Sequence, residues 1–116
     1  MAAASAVQET VQESVQEFIA VRTPAEIDRA ALAAEVDPGP EAGGAAAAYR
    51  WVLDPGVPAP VTGTVHGELA DGELAAEERA AILAARDTAR PAEERRRALG
   101  AAEALGWVLG FAPLDD

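Results

Sequence analysis

The sequence predicts an all-α fold, a small helical bundle made of an N-terminal amphipathic helix and two helical hairpins. The tripeptide Trp-Val-Leu occurs twice, at residues 51–53 and 107–109, and these stretches hold the only two tryptophans. A matching acidic-Arg-Ala-Ala-aliphatic stretch precedes each copy, at residues 28–32 and 78–82. This order indicates one helix–turn–helix unit used twice, because a single unit cannot bury its apolar face alone. Half of the 116 residues are hydrophobic and many are alanine, which predicts one domain of closely packed helices.

Residues 1–22 are predicted to form the amphipathic N-terminal helix. Valine recurs at every fourth position within a repeated Val-Gln-Glu motif, and glutamines and glutamates cover the rest of the helix. A narrow apolar stripe of this kind has two possible roles, packing on its own domain or pairing with another subunit. Since a spacing of four drifts the opposite way from a heptad, a long left-handed coiled coil is not expected. The stripe consists of Val7, Val11, Val15, Phe18 and Ile19.

Residues 23–54 are predicted to form the first hairpin. Thr23 is a candidate N-cap, with proline in the first turn and Glu26 three residues after the cap. This helix is expected to continue through Ile27, Ala31 and Leu32 and to stop at an Asp-Pro-Gly-Pro sequence. The second helix is predicted over residues 41–53, with a weak beginning because of two glycines.

Residues 55–70 are predicted to be an extended linker loop over the surface. Prolines and glycines bracket valines and threonines there, which excludes a helix and allows a short strand. Residues 71–116 are predicted to be the second hairpin. Its first helix is expected to end at Arg86, and its second to begin at Pro91 and to end near Phe111. All these segments are expected to form one compact domain.

The two tryptophans are predicted to be structural anchors. Trp51 and Trp107 each lie late in the second helix of a hairpin, among alanines and glycines, where a large ring fills space that small residues leave. If the repeat is a duplication, the two rings should be equivalent and largely buried. The Gly-x-x-x-Gly pattern at residues 106–110 indicates a close approach between helices.

The formal net charge of −11 is uneven along the chain. Residues 79–97 carry six arginines and three acids, whereas residues 1–78 carry three arginines and fourteen acids. A globally acidic surface disfavours direct binding of nucleic acid or an anionic membrane and favours a basic protein partner. The chain lacks cysteine, a recognisable secretory signal and the roughly 20-residue apolar segment of a membrane span. We therefore expect a cytoplasmic protein.

Few residues in the chain suit catalysis. There is no cysteine, lysine or asparagine, and Ser5, Ser14 and the single histidine His66 are the main candidates. A nucleophile needs an adjacent base, and the sequence contains no motif that places one. His66 begins a His-x-Glu triplet like that of zinc deaminases, but the cysteines that complete such a site are lacking. We expect no catalytic residue, no metal site and no cofactor, an exposed His66, and solvated carboxylates at Glu77 and Glu78.

An arginine cluster surrounds the turn between the last two predicted helices. One role is neutralisation by the chain's own acids, such as pairing of Glu93 with Arg97 four residues later. Another is contact with an acidic surface of a second subunit, since arginine is enriched at protein interfaces. Phosphate binding is a third role, which the surrounding negative field opposes. The cluster consists of Arg86, Arg90, Arg95, Arg96 and Arg97.

Residues 48–53, 59–63 and 104–110 resemble segments of small actinobacterial proteins that are often encoded beside mobile or phage-like genes. The use of arginine without any lysine fits a GC-rich genome. This resemblance implies a bacterial, intracellular origin, and it implies no activity for any residue.

The sequence thus predicts a non-enzymatic helical interaction module, an adaptor, regulator or assembly component that associates with itself or another protein. One alternative is an acidic mimic of nucleic acid that occupies a basic site on another protein. A third hypothesis is a small-molecule binder or enzyme with a pocket between the hairpins. The candidate interaction residues are Val7, Val11, Val15, Phe18, Ile19, Arg90, Arg95, Arg96 and Arg97.

Overall fold

The computed structural model of the chain describes residues 18–111. This part of the chain contains no strand, and α4 is the central helix, packed between α2 and α3 while α1 packs against α2. The predicted all-α bundle is therefore confirmed for these residues. The four helices are α1 (Pro24–Glu35), α2 (Pro40–Leu53), α3 (Asp71–Arg86) and α4 (Ala92–Leu109).

Residues 18–22 form a tight turn instead of the end of the predicted N-terminal helix. Ile19 and Arg22 exchange both backbone hydrogen bonds, at 2.7 and 3.0 Å, and Ala20 has a positive φ of 55°. The Val21 N–H donates to the carbonyl of Val108 at 3.3 Å. Because this contact ties the segment to the end of α4, the chain has to turn sharply before α1 begins. Residues 1–17 lie outside the described residues.

The start of α1 confirms the capping box that the sequence predicts. The Thr23 hydroxyl accepts from the N–H of Glu26 at 3.2 Å, and the Glu26 carboxylate accepts from the N–H of Thr23 at 2.9 Å. Ile27 is completely buried, whereas Leu32 is 53% exposed. Ala31, one position earlier, is buried at this level, where α1 packs mainly on α2.

Glycines bring the backbones of α2 and α4 into direct contact. A Cβ atom added at Gly44 would overlap the carbonyl group of Arg97, and one added at Gly100 would overlap that of Glu41. Since no side chain fits at either position, these glycines set how closely the two helices approach. Helix α2 begins at Pro40, before the two glycines that were expected to weaken its start. The close approach predicted around Gly106 is wrong, because a Cβ there would meet nothing nearer than 4.0 Å.

The loop between the hairpins folds back on itself rather than running straight over the surface. Ala59 donates to the carbonyl of Thr64 at 2.9 Å, and His66 donates to that of Pro55 at 3.2 Å. Gly63 adopts a positive φ of 76° within this loop. Ala59 is consequently buried at 4% exposure, and the loop covers part of the core.

The core combines small residues with a few large ones. Trp51 is completely buried, and its indole Nε1 has no hydrogen-bond partner among the described residues. Trp107 is only partly buried, so the predicted equivalence of the two rings does not extend to their burial. Trp51 lies beside the loop, with its ring centroid 6.0 Å from that of His66. The largest fully buried side chains are those of Trp51, Ile27, Leu74, Leu105 and Val108.

Helix α4 ends where the sequence predicts it, within two residues. Gly110 adopts a left-handed φ of 84°, and the Phe111 N–H donates back to the carbonyl of Gly106 at 2.8 Å. This Schellman-type ending satisfies carbonyl groups of the last turn. None of the helices within residues 18–111 has the length and apolarity needed to cross a membrane.

Candidate functional site

A groove between the C-terminal half of α3 and the N-terminal half of α4 is the main candidate site. Its volume is about 420 Å³, and Ile82 and Leu99 form much of its floor. Arginines from both helices stand around that apolar floor. We call it the arginine groove, and its lining residues are Ile82, Ala85, Arg86, Ala92, Arg95, Arg96 and Leu99.

The structure divides the predicted arginine cluster into two groups. Arg95 and Arg96 line the arginine groove together with Arg86. Arg90 and Arg97 instead line a smaller cavity of about 190 Å³ nearer α2, where the guanidinium group of Arg97 lies over Gly43. The division arises because consecutive residues of a helix point in different directions, so a cluster in sequence does not stay a cluster in space.

The rim of the arginine groove is not neutralised by acids of the described residues. Within residues 18–111 no ion pair is found for Arg86, Arg95 or Arg96, and the Nε of Arg95 donates to the backbone carbonyl of Arg90 at 3.1 Å. Arg90 itself approaches Asp87 at 3.4 Å. The rim therefore carries positive charge that can meet an anionic group from outside.

Arg50, in contrast to the rim arginines, is neutralised by ion pairs with acids of the chain itself. It donates to the Glu35 carboxylate at 2.6 and 2.9 Å and to Asp28 at 2.9 Å, joining α2 to α1. These hydrogen bonds from Arg50 lower the pKa of Glu35 below its ordinary value. This ion-pair network uses acids of α1, which does not pack against the arginine groove.

Two adjacent carboxylates of α3 are buried, contrary to the prediction of solvated side chains. Glu77 is 4% exposed and accepts from the N–H groups of Val61 and Thr62 at 2.7 and 2.9 Å, and from the Thr62 hydroxyl at 2.7 Å. Glu78 is 8% exposed, and burial raises its pKa, an effect that neighbouring Arg79 opposes. Glu77 thus anchors the inter-hairpin loop, which explains why its burial is tolerated.

A second groove lies on the other side of α4, between α4 and α2. Its volume is about 400 Å³, and its aromatic wall consists of Tyr49 and Trp107, whose rings meet edge to face with centroids 5.9 Å apart. Arg22 lies over the Trp107 ring at 4.1 Å and donates to the Trp107 carbonyl at 2.8 Å. We call this the aromatic groove, and its acidic lining residues are Asp37, Glu41 and Glu103.

The phenol of Tyr49 lies in a partly dehydrated and charged environment. Burial raises the pKa of Tyr49, and the negative charge of Glu103 adds to this effect, while Arg22 opposes it. The phenol is therefore a neutral hydrogen-bonding group at physiological pH. The third sequence hypothesis placed a pocket near the tryptophans, and the groove here uses Trp107 and not the buried Trp51.

The described residues contain no group of three or more side chains suited to hold a metal ion. His66 is half-buried beside Trp51 rather than fully exposed, since the loop folds it over that ring. Ser5 and Ser14 lie outside the described residues, as do Val7, Val11 and Val15. Of the other predicted interaction residues, Phe18 is 55% exposed and Ile19 packs against the chain's own core.

Three features of these sites were missed by reasoning from the sequence. The apolar floor of the arginine groove was missed because helical periodicity marks Ile82 and Leu99 as apolar-face positions without showing that a groove stays open between α3 and α4. The buried Glu77 has no signal in the local pattern, since its partners lie fifteen or sixteen residues away. The contact of Arg22 with Trp107 joins residues 85 positions apart, so no local pattern signals it, although a cation near a helix C-terminus is favourable.

Comparison with known proteins adds no relationship to this geometry. No family model, no curated protein and no solved structure matches the chain significantly.

Proposed function

We propose that the chain is a helical protein-interaction module that associates with itself, and that it acts as an adaptor, regulator or assembly component rather than as an enzyme. The observation that carries the proposal is the arginine groove. It combines an open apolar floor with three rim arginines that make no ion pair within the described residues. Protein interfaces combine the same elements, an apolar centre and arginine contacts.

The physical argument concerns both parts of the groove. Apolar floor atoms gain free energy when a partner removes them from water, by roughly 25 cal/mol per Å². Rim arginines add directional hydrogen bonds to carboxylates and raise the rate of encounter with acidic surfaces, which a chain of net charge −11 itself provides. Because this groove interrupts the acidic surface, the hypothesis of a nucleic-acid mimic receives less support.

Sedimentation equilibrium of the full chain, from micromolar to millimolar concentration, tests the proposal. We expect concentration-dependent association that weakens when Leu99 on the groove floor is replaced by glutamate. Leu83→Glu is the matched control, because Leu83 is 64% exposed and does not line the groove. A chain that stays monomeric over the whole range would contradict self-association.

A second candidate function is the binding of a small organic cation in the aromatic groove. Tyr49 and Trp107 offer ring surfaces, and the groove is also lined by Asp37 and Glu41, so its chemistry suits an ammonium or guanidinium group. Tetramethylammonium is a suitable probe, because ring currents would shift its proton resonance on binding. We expect the shift to disappear in Tyr49→Ala. The absence of any shift with the unmodified chain at millimolar probe would contradict this candidate.

A further inference from the structure

We propose that the arginine groove of one chain binds residues 112–116 of a second copy. Leu114 would lie on the apolar floor, and Asp115 and Asp116 would meet the rim arginines. This inference rests on the proposed self-association and specifies the two surfaces that carry it.

The C-terminal residues match the groove in both polarity and charge. They read Ala-Pro-Leu-Asp-Asp, so an apolar side chain is followed directly by two carboxylates. The groove presents Ile82 and Leu99 beside the guanidinium groups of Arg86, Arg95 and Arg96. Guanidinium and carboxylate groups form paired hydrogen bonds, which fix orientation as well as adding affinity. Its volume of about 420 Å³ falls within the range of sites that enclose small ligands.

The N-terminal residues match the groove less well. In the Val-Gln-Glu repeat, each glutamate follows a valine by two positions. Two positions along an α-helix correspond to a rotation of about 200°. If these residues form the helix that their pattern predicts, the valines and the glutamates therefore lie on opposite sides. Such a helix cannot place its apolar stripe on the floor and its acids on the rim together.

The tail of the same chain reaches its own groove less easily than the tail of a second copy does. Helix α4 rises about 1.5 Å per residue, so Leu99 lies about 15 Å and Arg96 about 20 Å back from Leu109. Phe111 is hydrogen-bonded to the last turn of α4 and marks where the tail leaves it. An extended chain spans at most about 3.5 Å per residue, so Leu114 reaches no more than about 10 Å from Phe111. The same chain could therefore reach floor and rim only with its tail fully extended, whereas the tail of a second copy can approach without that constraint.

A charge-swap experiment with full-length chains tests the inference. The groove variant carries Arg86→Glu and Arg96→Glu, and the tail variant carries Asp115→Lys and Asp116→Lys. Sedimentation equilibrium should show that each variant alone has a dissociation constant for self-association raised about tenfold or more, because like charges oppose each other. An equimolar mixture should associate again, because the acidic tail of the groove variant meets the unmodified groove of the tail variant.

A control variant and the net charge of the tail variant separate local contact from general charge effects. Arg29→Glu with Arg79→Glu changes the net charge from −11 to −15, as the groove variant does, at exposed sites outside the groove. We expect this control to change the dissociation constant by less than about threefold. The tail variant has a net charge of −7, which reduces general repulsion, so weakening in that variant cannot come from net charge.

The outcomes distinguish this inference from the proposed function. A monomeric unmodified chain would overturn both. An unmodified chain that associates, together with groove and tail variants that associate as tightly as the control, would overturn only the docking of the tail. If both variants associate more weakly and their equimolar mixture does not associate again, the docking of the tail would be overturned as well. Far-UV circular dichroism checks that each variant is folded, and the milder Arg96→Gln should weaken association in the same direction if a double reversal disturbs α4.

Discussion

Helix α4 touches the backbone of α2 at two glycines, whereas it meets α3 through larger side chains beside the arginine groove. On the α2 side, Gly44 and Gly100 let each backbone touch a carbonyl group of the other helix. On the α3 side, bulky Ile82 and Leu99 and long arginines line the surface instead. The same helix therefore meets α2 in backbone contact at two glycines, between the aromatic groove and the smaller cavity, and meets α3 through larger side chains that line the arginine groove.

The difference indicates where stability and function reside. Backbone contact at glycines leaves no room for adjustment, because protein interiors are packed like organic crystals. The α3 side tolerates a cavity because other contacts hold that helix, including the anchoring of the loop through Glu77. We expect substitutions on the α2 side to affect folding and those around the arginine groove to affect association.

The largest expected effect comes from adding one methyl group on the α2 side. Gly44→Ala should lower the free energy of unfolding by about 3 kcal/mol, because the new Cβ overlaps the Arg97 carbonyl and the helices must separate. The higher helix propensity of alanine offsets about 1 kcal/mol of a still larger cost. Urea denaturation followed by circular dichroism measures the change, and Gly100→Ala should behave in the same way.

Gly72→Ala is the matched control for this prediction. Gly72 lies in the first turn of α3, and a Cβ added there meets nothing within 4 Å. The same substitution should therefore leave stability unchanged or raise it by up to about 1 kcal/mol. If Gly44→Ala and Gly72→Ala had equal effects, the close contact between α2 and α4 would not exist.

The sequence predicts the helices well because their ends are local signals. The capping box at Thr23 and the proline-rich stop before Pro40 each involve residues a few positions apart. The inward positions of α4 follow from helical periodicity, and Leu105 and Val108 are indeed buried. These features require no knowledge of which helices become neighbours.

The remaining features depend on contacts between distant parts of the chain. By helix propensity alone, Gly44 is unfavourable in α2. The close backbone contact that this glycine permits can be recognised only when α4 is known to lie opposite. The two Trp-Val-Leu copies look equivalent, yet Trp51 is buried beside the inter-hairpin loop, whereas Trp107 borders a groove with Arg22 over its ring. A local pattern does not specify which surface another segment covers.

On the α3 side, loss of the Glu77 carboxylate should have a smaller but clear effect. Glu77→Ala removes three hydrogen bonds and leaves the N–H groups of Val61 and Thr62 without that acceptor. We expect a loss of about 2 kcal/mol in the free energy of unfolding. Hydrogen exchange at these two amides should also become faster than in the unmodified chain. Glu68→Ala, at an exposed acid of the same loop, should change neither measurement, and unchanged exchange in Glu77→Ala would contradict the anchoring role.

The smallest expected effect concerns Glu78, the neighbour whose burial raises its pKa. The folded chain holds the Glu78 proton to higher pH than the unfolded chain, whose carboxyl ionises around the ordinary value of 4.5. Stability is therefore lost as the pH rises from that value through the raised pKa, and the full loss is present above it. Glu78→Gln removes the ionisation, so it should stabilise the chain at neutral pH by less than about 1 kcal/mol.

Measuring this gain as a function of pH separates charge burial from a change in packing. The advantage of Glu78→Gln should disappear well below pH 4.5, where the carboxyl of Glu78 is protonated in both the folded and the unfolded chain. Glu93→Gln, at an exposed position in the first turn of α4, provides the comparison for loss of a surface charge. A stabilisation by Glu78→Gln that persists unchanged in acid would show that packing and not the buried charge is responsible.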